Sequence, residues 1–295
     1  MLKQIEGSRA MAEGIALCRP EVICAYPITP QTHIVEGLGE MVRTGELTNC
    51  EFINVESEFA ALSVAIGASA AGARAYTATA SQGLLFMAEA VYNASGLGLP
   101  IVMTLGNRAI GAPINIWNDH SDAMSMRDAG WMQLFAETNQ EAVDLHIQAF
   151  RLAEELSMPV MVCVDGFILT HAVERIDIPD QADVDAFLPP YDPVQVLDPQ
   201  HPISIGAMVG PDAFTEVRPD LRSDSDQPIF ERSAGRRPRL PRRPPASARL
   251  QAAVQSALDQ AASAGHSCAR SSGSPLESEA SATSASSVGT GWTTY

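Results

Sequence analysis

One carboxylate stands at the head of an otherwise uncharged stretch. Glu58 is the only charged side chain between Ser57 and Ala73, and it follows the expected strand Phe52–Val55. A lone carboxylate heading a small-residue helix is expected to lose water, and its pKa to rise. Such a group can share a proton with a ligand nitrogen. A first-turn Glu that merely suits the helix dipole is the plainer reading. Arg108 lies just past the apolar run Ile101–Leu105, where its planar fork could clamp a carboxylate. A surface ion pair is an equal alternative. In Tyr26-Pro27-Ile28-Thr29-Pro30, two prolines fix the backbone around Thr29. Its hydroxyl and the helix start beyond it could face an anion, or Thr29 could be an ordinary N-cap. The loop Asn118–Asp122 bunches oxygen and nitrogen groups. Its spacing fits no strong metal template, and such clusters are common in hydrogen-bonded turns, so no metal is assigned. No G-x-G-x-x-G follows a strand and there is no P-loop. His146 reads as a helix-surface residue and Cys163 as core.

Alternating helical and strand patterns must position these groups. The spacing predicts helices over Glu6–Cys18, from Thr29-Pro30 to about Arg43, over Ser57–Ala71, and from Ser81 to about Asn93. Strands are predicted at Val22–Tyr26, Phe52–Val55, Ala75–Ala80, Ile101–Leu105, Gln133–Ala136 and Val160–Val164. Thr138-Asn139-Gln140-Glu141 matches a capping box and opens a helix to Ser157. Asp144, Gln148, Arg151 and Glu155 form the expected wet stripe of that helix. This alternation means an α/β domain with a mainly parallel sheet. Ligands then sit at the carboxyl ends of the strands, where Thr29, Glu58 and Arg108 fall.

Composition excludes several classes. The chain has 295 residues and a net charge of −16, so a nucleic-acid binder relying on phosphate contacts is not expected. No apolar run reaches the roughly 18 residues of a membrane span, and Met1–Glu6 lacks a signal-peptide pattern. The cytoplasm is the expected compartment. Five cysteines without a C-x-x-C pair read as buried thiols, not as disulfides or cluster ligands.

Six motifs in one order say more. They are Tyr26-Pro27-Ile28-Thr29-Pro30, Glu56-Ser57-Glu58-Phe59-Ala60-Ala61, Thr79-Ala80-Ser81-Gln82-Gly83-Leu84, Asn107-Arg108-Ala109, Asp119-His120-Ser121-Asp122 and Asp165-Gly166-Phe167. Over roughly residues 3–218 the chain resembles the α subunit of 2-oxoacid:ferredoxin oxidoreductases, the multi-subunit pyruvate enzyme above all. The resemblance implies a three-layer α/β domain that binds the pyrimidine of thiamine diphosphate. It implies oxidative decarboxylation of pyruvate with coenzyme A to acetyl-CoA and CO2, reversibly, with electrons passed to ferredoxin. Thiamine diphosphate is then shared with a β subunit carrying the diphosphate and Mg²⁺ site. The iron–sulfur clusters would sit on partner subunits, γ and δ completing the complex. Nothing in this sequence resembles the diphosphate and metal motif. Carried over by position, Glu58 would hydrogen-bond N1′ of the aminopyrimidine and favour the tautomer that removes the C2 proton. Arg108 would clamp the substrate carboxylate and Thr29 would hydrogen-bond the substrate. Pro27, Ser81 and Gln82 would also line the cofactor. A branched-chain or aryl 2-oxoacid enzyme, and a truncated non-catalytic assembly remnant, stay open as alternatives.

The composition changes at Pro219. Residues 1–218 carry Lys3 and nine Arg against 28 acids, whereas residues 219–295 carry nine Arg, no Lys, seven acids, 15 Ser and seven Pro. That tail is expected to be disordered, except for a possible short helix over Ala246–Ala264. The resembling family continues there into a second α/β domain. A reading-frame change that replaced this domain is the expectation for the tail.

Overall fold

The computed structural model describes residues 1–206 and 208–211. The expected tail, its short helix and the domain boundary at Pro219 lie outside the described residues. In chain order the elements are β1 (Leu2–Glu6), α1 (Gly7–Leu17), β2 (Val22–Ala25), α2 (Thr32–Thr44), β3 (Glu51–Asn54), α3 (Glu58–Ala70), β4 (Ala75–Thr79), α4 (Gln82–Phe86), α5 (Ala88–Gly96), β5 (Ile101–Asn107), α6 (Ser121–Ser125), β6 (Met132–Ala136), α7 (Asn139–Leu156), β7 (Val160–Asp165), β8 (Val173–Asp177) and α8 (Gln181–Phe187).

Six strands form one parallel sheet in the order β3-β2-β4-β5-β7-β6. Its central strands are apolar on both faces, as a sheet covered twice requires. On β7, Val160, Val162 and Val164 enter a core shared with α1, α2 and α7. The alternate residues Met161 and Cys163 enter a second core with α3, α4 and α5. On β5, Val102 joins the first core, and Ile101, Met103 and Leu105 join the second. The strand period of two thus builds a three-layer α/β domain.

Three elements differ from the expected ones. The helix expected from Thr29-Pro30 begins at Thr32, with Gln31 at its N-cap. The helix expected over Ser81–Asn93 breaks at Met87 into α4 and α5. β1 pairs antiparallel with β8 in a separate two-stranded ribbon. Its partners are some 170 residues apart, so local pattern carried no sign of the pairing. α7 has its predicted cap: Thr138 accepts from Glu141 N–H, while the Glu141 carboxylate accepts from Glu137 N–H, one residue before the expected donor.

Two α7 expectations are corrected. Gln148 is buried, and its amide has no partner among the described residues. His146, expected on the surface, is fully buried. α7 packs against the sheet strands β5, β6 and β7 and also against α1 and β8, so more than one stripe of it is buried. His146 Nδ1 lies 2.6 Å from Ala142 O, an acceptor, so Nδ1 carries the proton. Nε2 then accepts from the Thr104 hydroxyl at 2.6 Å, and Thr104 accepts from Tyr76 at 2.6 Å.

Burial pushes the His146 pKa down from 6.5 to about 4. The unfolded chain therefore takes up this proton first, and the stability it carries is full above about pH 6.5 and lost as pH falls to about 4. The loss expected over that window is roughly 3 kcal/mol. Urea unfolding at several pH values should show the slope in the native protein and a flatter one in His146→Gln. Equal slopes would refute this assignment.

Candidate cofactor site

β3, β2, β4 and β5 are neighbours and parallel, so their carboxyl ends share one edge. The four turns leaving that edge carry Glu58, Thr29, Ser81-Gln82 and Arg108. Residues 79 positions apart in sequence meet there: Arg108 Nη1 donates to Thr29 O at 2.7 Å. Arg108 Nη2 donates to Gln82 Oε1 at 3.1 Å. Arg108 is buried, and its Nε has no partner among the described residues. Burial holds its pKa below the usual arginine value, with the nearby Asp122 charge opposing. An orphaned buried donor is costly, so this guanidinium retains capacity for an anionic ligand.

Glu58 opens α3 behind Ser57, whose hydroxyl caps the helix by accepting from Ala60 N–H at 3.2 Å. Glu58 is only 9% exposed, and among the described residues no hydrogen bond or ion pair reaches its carboxylate. The reason for the burial is close packing by α4. A Cβ on Gly83 would lie 2.8 Å from Glu58 Oε1 and would overlap Thr79 Oγ1. Only glycine lets the first turn of α4 approach that closely. Beside Glu58, Phe59 and Phe86 are exposed, with ring centroids 6.5 Å apart.

Thr29, Tyr26 and Pro27 are exposed on the turn after β2. Thr29 is not an N-cap, because the helix starts three residues later. Gln31, which sequence reasoning missed, closes this turn. It is fully buried, its Nε2 donates to Tyr26 O at 2.9 Å, and its Oε1 is unpartnered among the described residues. A polar residue between Pro30 and the apolar α2 stripe was the only available signal.

Ser81 is fully buried with φ 48°, a left-handed value rare outside glycine. Its hydroxyl donates to Ala109 O at 2.6 Å, and its N–H donates to Asp122 at 3.0 Å. Asp122 holds the edge together. It is buried and also accepts from Asn107 Nδ2 at 2.9 Å, Arg108 N–H at 3.1 Å and Ala123 N–H at 2.7 Å. Burial raises its pKa, and these four bonds oppose the rise. The carboxylate thus fixes the turns that present Ser81 and Arg108, and it pins the strained Ser81 backbone. Its neighbours in the loop are engaged separately: His120 lies 2.9 Å from Asp165, and Asp119 accepts from Ser121 N–H at 2.7 Å.

The α/β domain with this edge has known relatives. The chain belongs to the pyruvate flavodoxin/ferredoxin oxidoreductase family, whose thiamine-diphosphate-binding domain matches residues 13–234. The pyruvate synthase subunit PorA of Methanosarcina barkeri is 56% identical over 216 residues, covering 72% of this chain and 54% of that protein. The ketoisovalerate oxidoreductase subunit VorA of Pyrococcus abyssi is 45% identical over 217 residues, covering 73% of this chain and 55% of that protein. A solved 2-oxoglutarate:ferredoxin oxidoreductase from Magnetococcus marinus shares the fold with a TM-score of 0.61 at 20% identity. That match covers 77% of this chain and 45% of that one. The chain spans about half the length of the curated relatives it matches. No helix among the described residues is long and apolar enough to cross a membrane.

The residues fit the pyrimidine end of thiamine diphosphate. A buried carboxylate with no partner among the described residues suits a ring nitrogen.

Proposed function

We propose that this chain supplies the pyrimidine-binding half of a thiamine diphosphate site in a pyruvate:ferredoxin oxidoreductase. The complex would convert pyruvate and coenzyme A to acetyl-CoA and CO2 and pass electrons to ferredoxin, reversibly. A β subunit would bring the diphosphate and Mg²⁺ site. Iron–sulfur clusters would reside on partner subunits, with γ and δ chains completing the assembly. The observation that carries the reading is Glu58, buried yet without a partner among the described residues, at the edge where four motif turns meet.

When bound, thiamine diphosphate supplies the carbon centre that takes up the 2-oxoacid and stabilises the charge left by loss of CO2. The chain's residues orient the cofactor and substrate. Glu58 would hydrogen-bond the pyrimidine N1′. Gly83 keeps α4 tight against that carboxylate and limits water there. Arg108, tethered to Thr29 and Gln82, would bind the substrate carboxylate. The exposed Thr29 would hydrogen-bond the substrate through its hydroxyl, and Pro27 and Gln82 would flank the cofactor. The higher identity to the pyruvate subunit than to the ketoisovalerate subunit favours pyruvate.

Arg108→Lys tests the substrate role. Lys keeps the charge but loses the fork. In the complex reconstituted with its partner subunits, KM for pyruvate is expected to rise about 10- to 100-fold. KM for coenzyme A should not change. An unchanged KM for pyruvate would remove Arg108 from substrate binding.

A further inference from the structure

We propose that Glu6, His33 and His171 form a binding site for one divalent transition metal of the zinc class, joining three segments far apart in sequence. One ligand atom from each residue lies within 4.8 Å of the other two. A tetrahedral zinc with bonds of about 2.0–2.2 Å holds its ligands roughly 3.4 Å apart, so a small side-chain rotation completes the triad. Two imidazoles and a carboxylate match zinc, cobalt or nickel, not the all-oxygen shells of calcium or magnesium. The fourth position would be left to water or an exogenous ligand.

The supporting frame is rigid. Glu6 occupies the N-cap of α1 but makes no side-chain cap bond. Its carboxylate turns instead to His33 Nδ1, 2.8 Å away. The backbone beside Glu6 is bolted to the segment carrying His171. Gly7 N–H donates to Ala172 O at 2.9 Å, Ser8 N–H to Thr170 O at 2.9 Å, and the Ser8 hydroxyl to Thr170 O at 2.7 Å. A Cβ on Gly7 would overlap Leu169 O, so the approach requires glycine. The His171 ring is held on two sides. Phe167 stacks on it at 4.1 Å with planes 5° apart, and the Thr170 hydroxyl lies 2.7 Å from Nδ1. That leaves Nε2 for a metal and fixes the ring orientation, as a hydrogen bond to the far nitrogen does for zinc-ligating histidines. The His33 ring is 4.8 Å from it at 42°, neither stacked nor hydrogen-bonded to it. The exposed Glu6–His33 pair would by itself contribute little to stability.

A bound ion would fasten the first turn of α2 to the start of α1. That turn follows directly on the Tyr26–Gln31 segment of the candidate cofactor site.

The test uses the full chain, stripped with chelator and titrated with Zn²⁺ by calorimetry and with Co²⁺ by absorption. One equivalent with a dissociation constant at or below about 10 μM is expected, with Co²⁺ bands of tetrahedral or five-coordinate type. His33→Ala lies on an exposed helix turn and should keep the native circular dichroism while weakening binding at least a hundredfold. Glu6→Gln should weaken it about tenfold. Unchanged affinity in His33→Ala, or no one-to-one binding at 1 mM Zn²⁺, would overturn the proposal.

Discussion

Glu58→Gln is expected to lower thiamine-diphosphate-dependent turnover of the reconstituted complex about a thousandfold, within the range assigned to a positioned acid–base group. Glutamine matches the shape and can still hydrogen-bond, but it cannot give up or take back a proton at N1′. The fold should survive. Among the described residues Glu58 has no partner to lose, and its neighbours Ser57, Gly83 and Thr79 meet the same volume in glutamine. Exchanging the charge forfeits only a helix-dipole contribution, about 0.3–1 kcal/mol. Viologen-dye reduction driven by pyruvate and coenzyme A measures turnover, and urea unfolding of the isolated chain measures stability. Turnover within threefold of the native enzyme would remove Glu58 from the chemistry.

Arg74→Ala is expected to cost about 3–5 kcal/mol of folding free energy, the penalty for leaving a buried charge without its partner. Arg74 sits just before β4 and is 6% exposed. Its Nε and Nη2 donate to the two Glu154 oxygens at 2.5 and 2.9 Å. Nη1 donates to Cys18 O at 2.7 Å, and Nη2 also to Pro189 O at 2.9 Å. Its backbone N–H donates to Glu21 at 2.9 Å. One side chain thus ties the end of α1, the last turns of α7 and the segment after α8. Its removal strands two carbonyls and the Glu154 carboxylate, whose pKa burial already raises against the Arg74 charge. The pair Arg74→Met with Glu154→Leu should recover most of the loss, because well-packed apolar groups replace buried ion pairs at little cost. Urea unfolding followed by circular dichroism reads both. A single-variant loss below about 1 kcal/mol would show that the network is not structural.

The strands and the helices beside the site were legible because local pattern specifies them. The expected strands Phe52–Val55 and Ile101–Leu105 and the Thr138 cap translate directly into β3, β5 and α7. The positions of Thr29, Glu58, Ser81 and Arg108 at strand ends were legible for the same reason: in a parallel sheet, strand ends become neighbours. What sequence hid was long-range. Asp122 reads as part of a polar loop, yet its four hydrogen bonds come from the turns after β4 and β5, from Asn107 at the end of β5 and from its own α6. Gln31, His146 and Gln148 are polar residues that packing buries, and no period reveals that. The β1–β8 ribbon and the Arg74 network join segments more than 100 residues apart. The close approach of Gly83 to Glu58 shows only once α4 is in place.

The most direct test of Glu58 facing the pyrimidine is a chemical double-mutant cycle. Turnover of the reconstituted complex is measured for native chain and Glu58→Gln, each with thiamine diphosphate and with the analogue in which CH replaces N1′. If the carboxylate acts through that nitrogen, the analogue should cripple the native enzyme and cause little further loss in Glu58→Gln. Losses that multiply independently would show that Glu58 and N1′ do not meet.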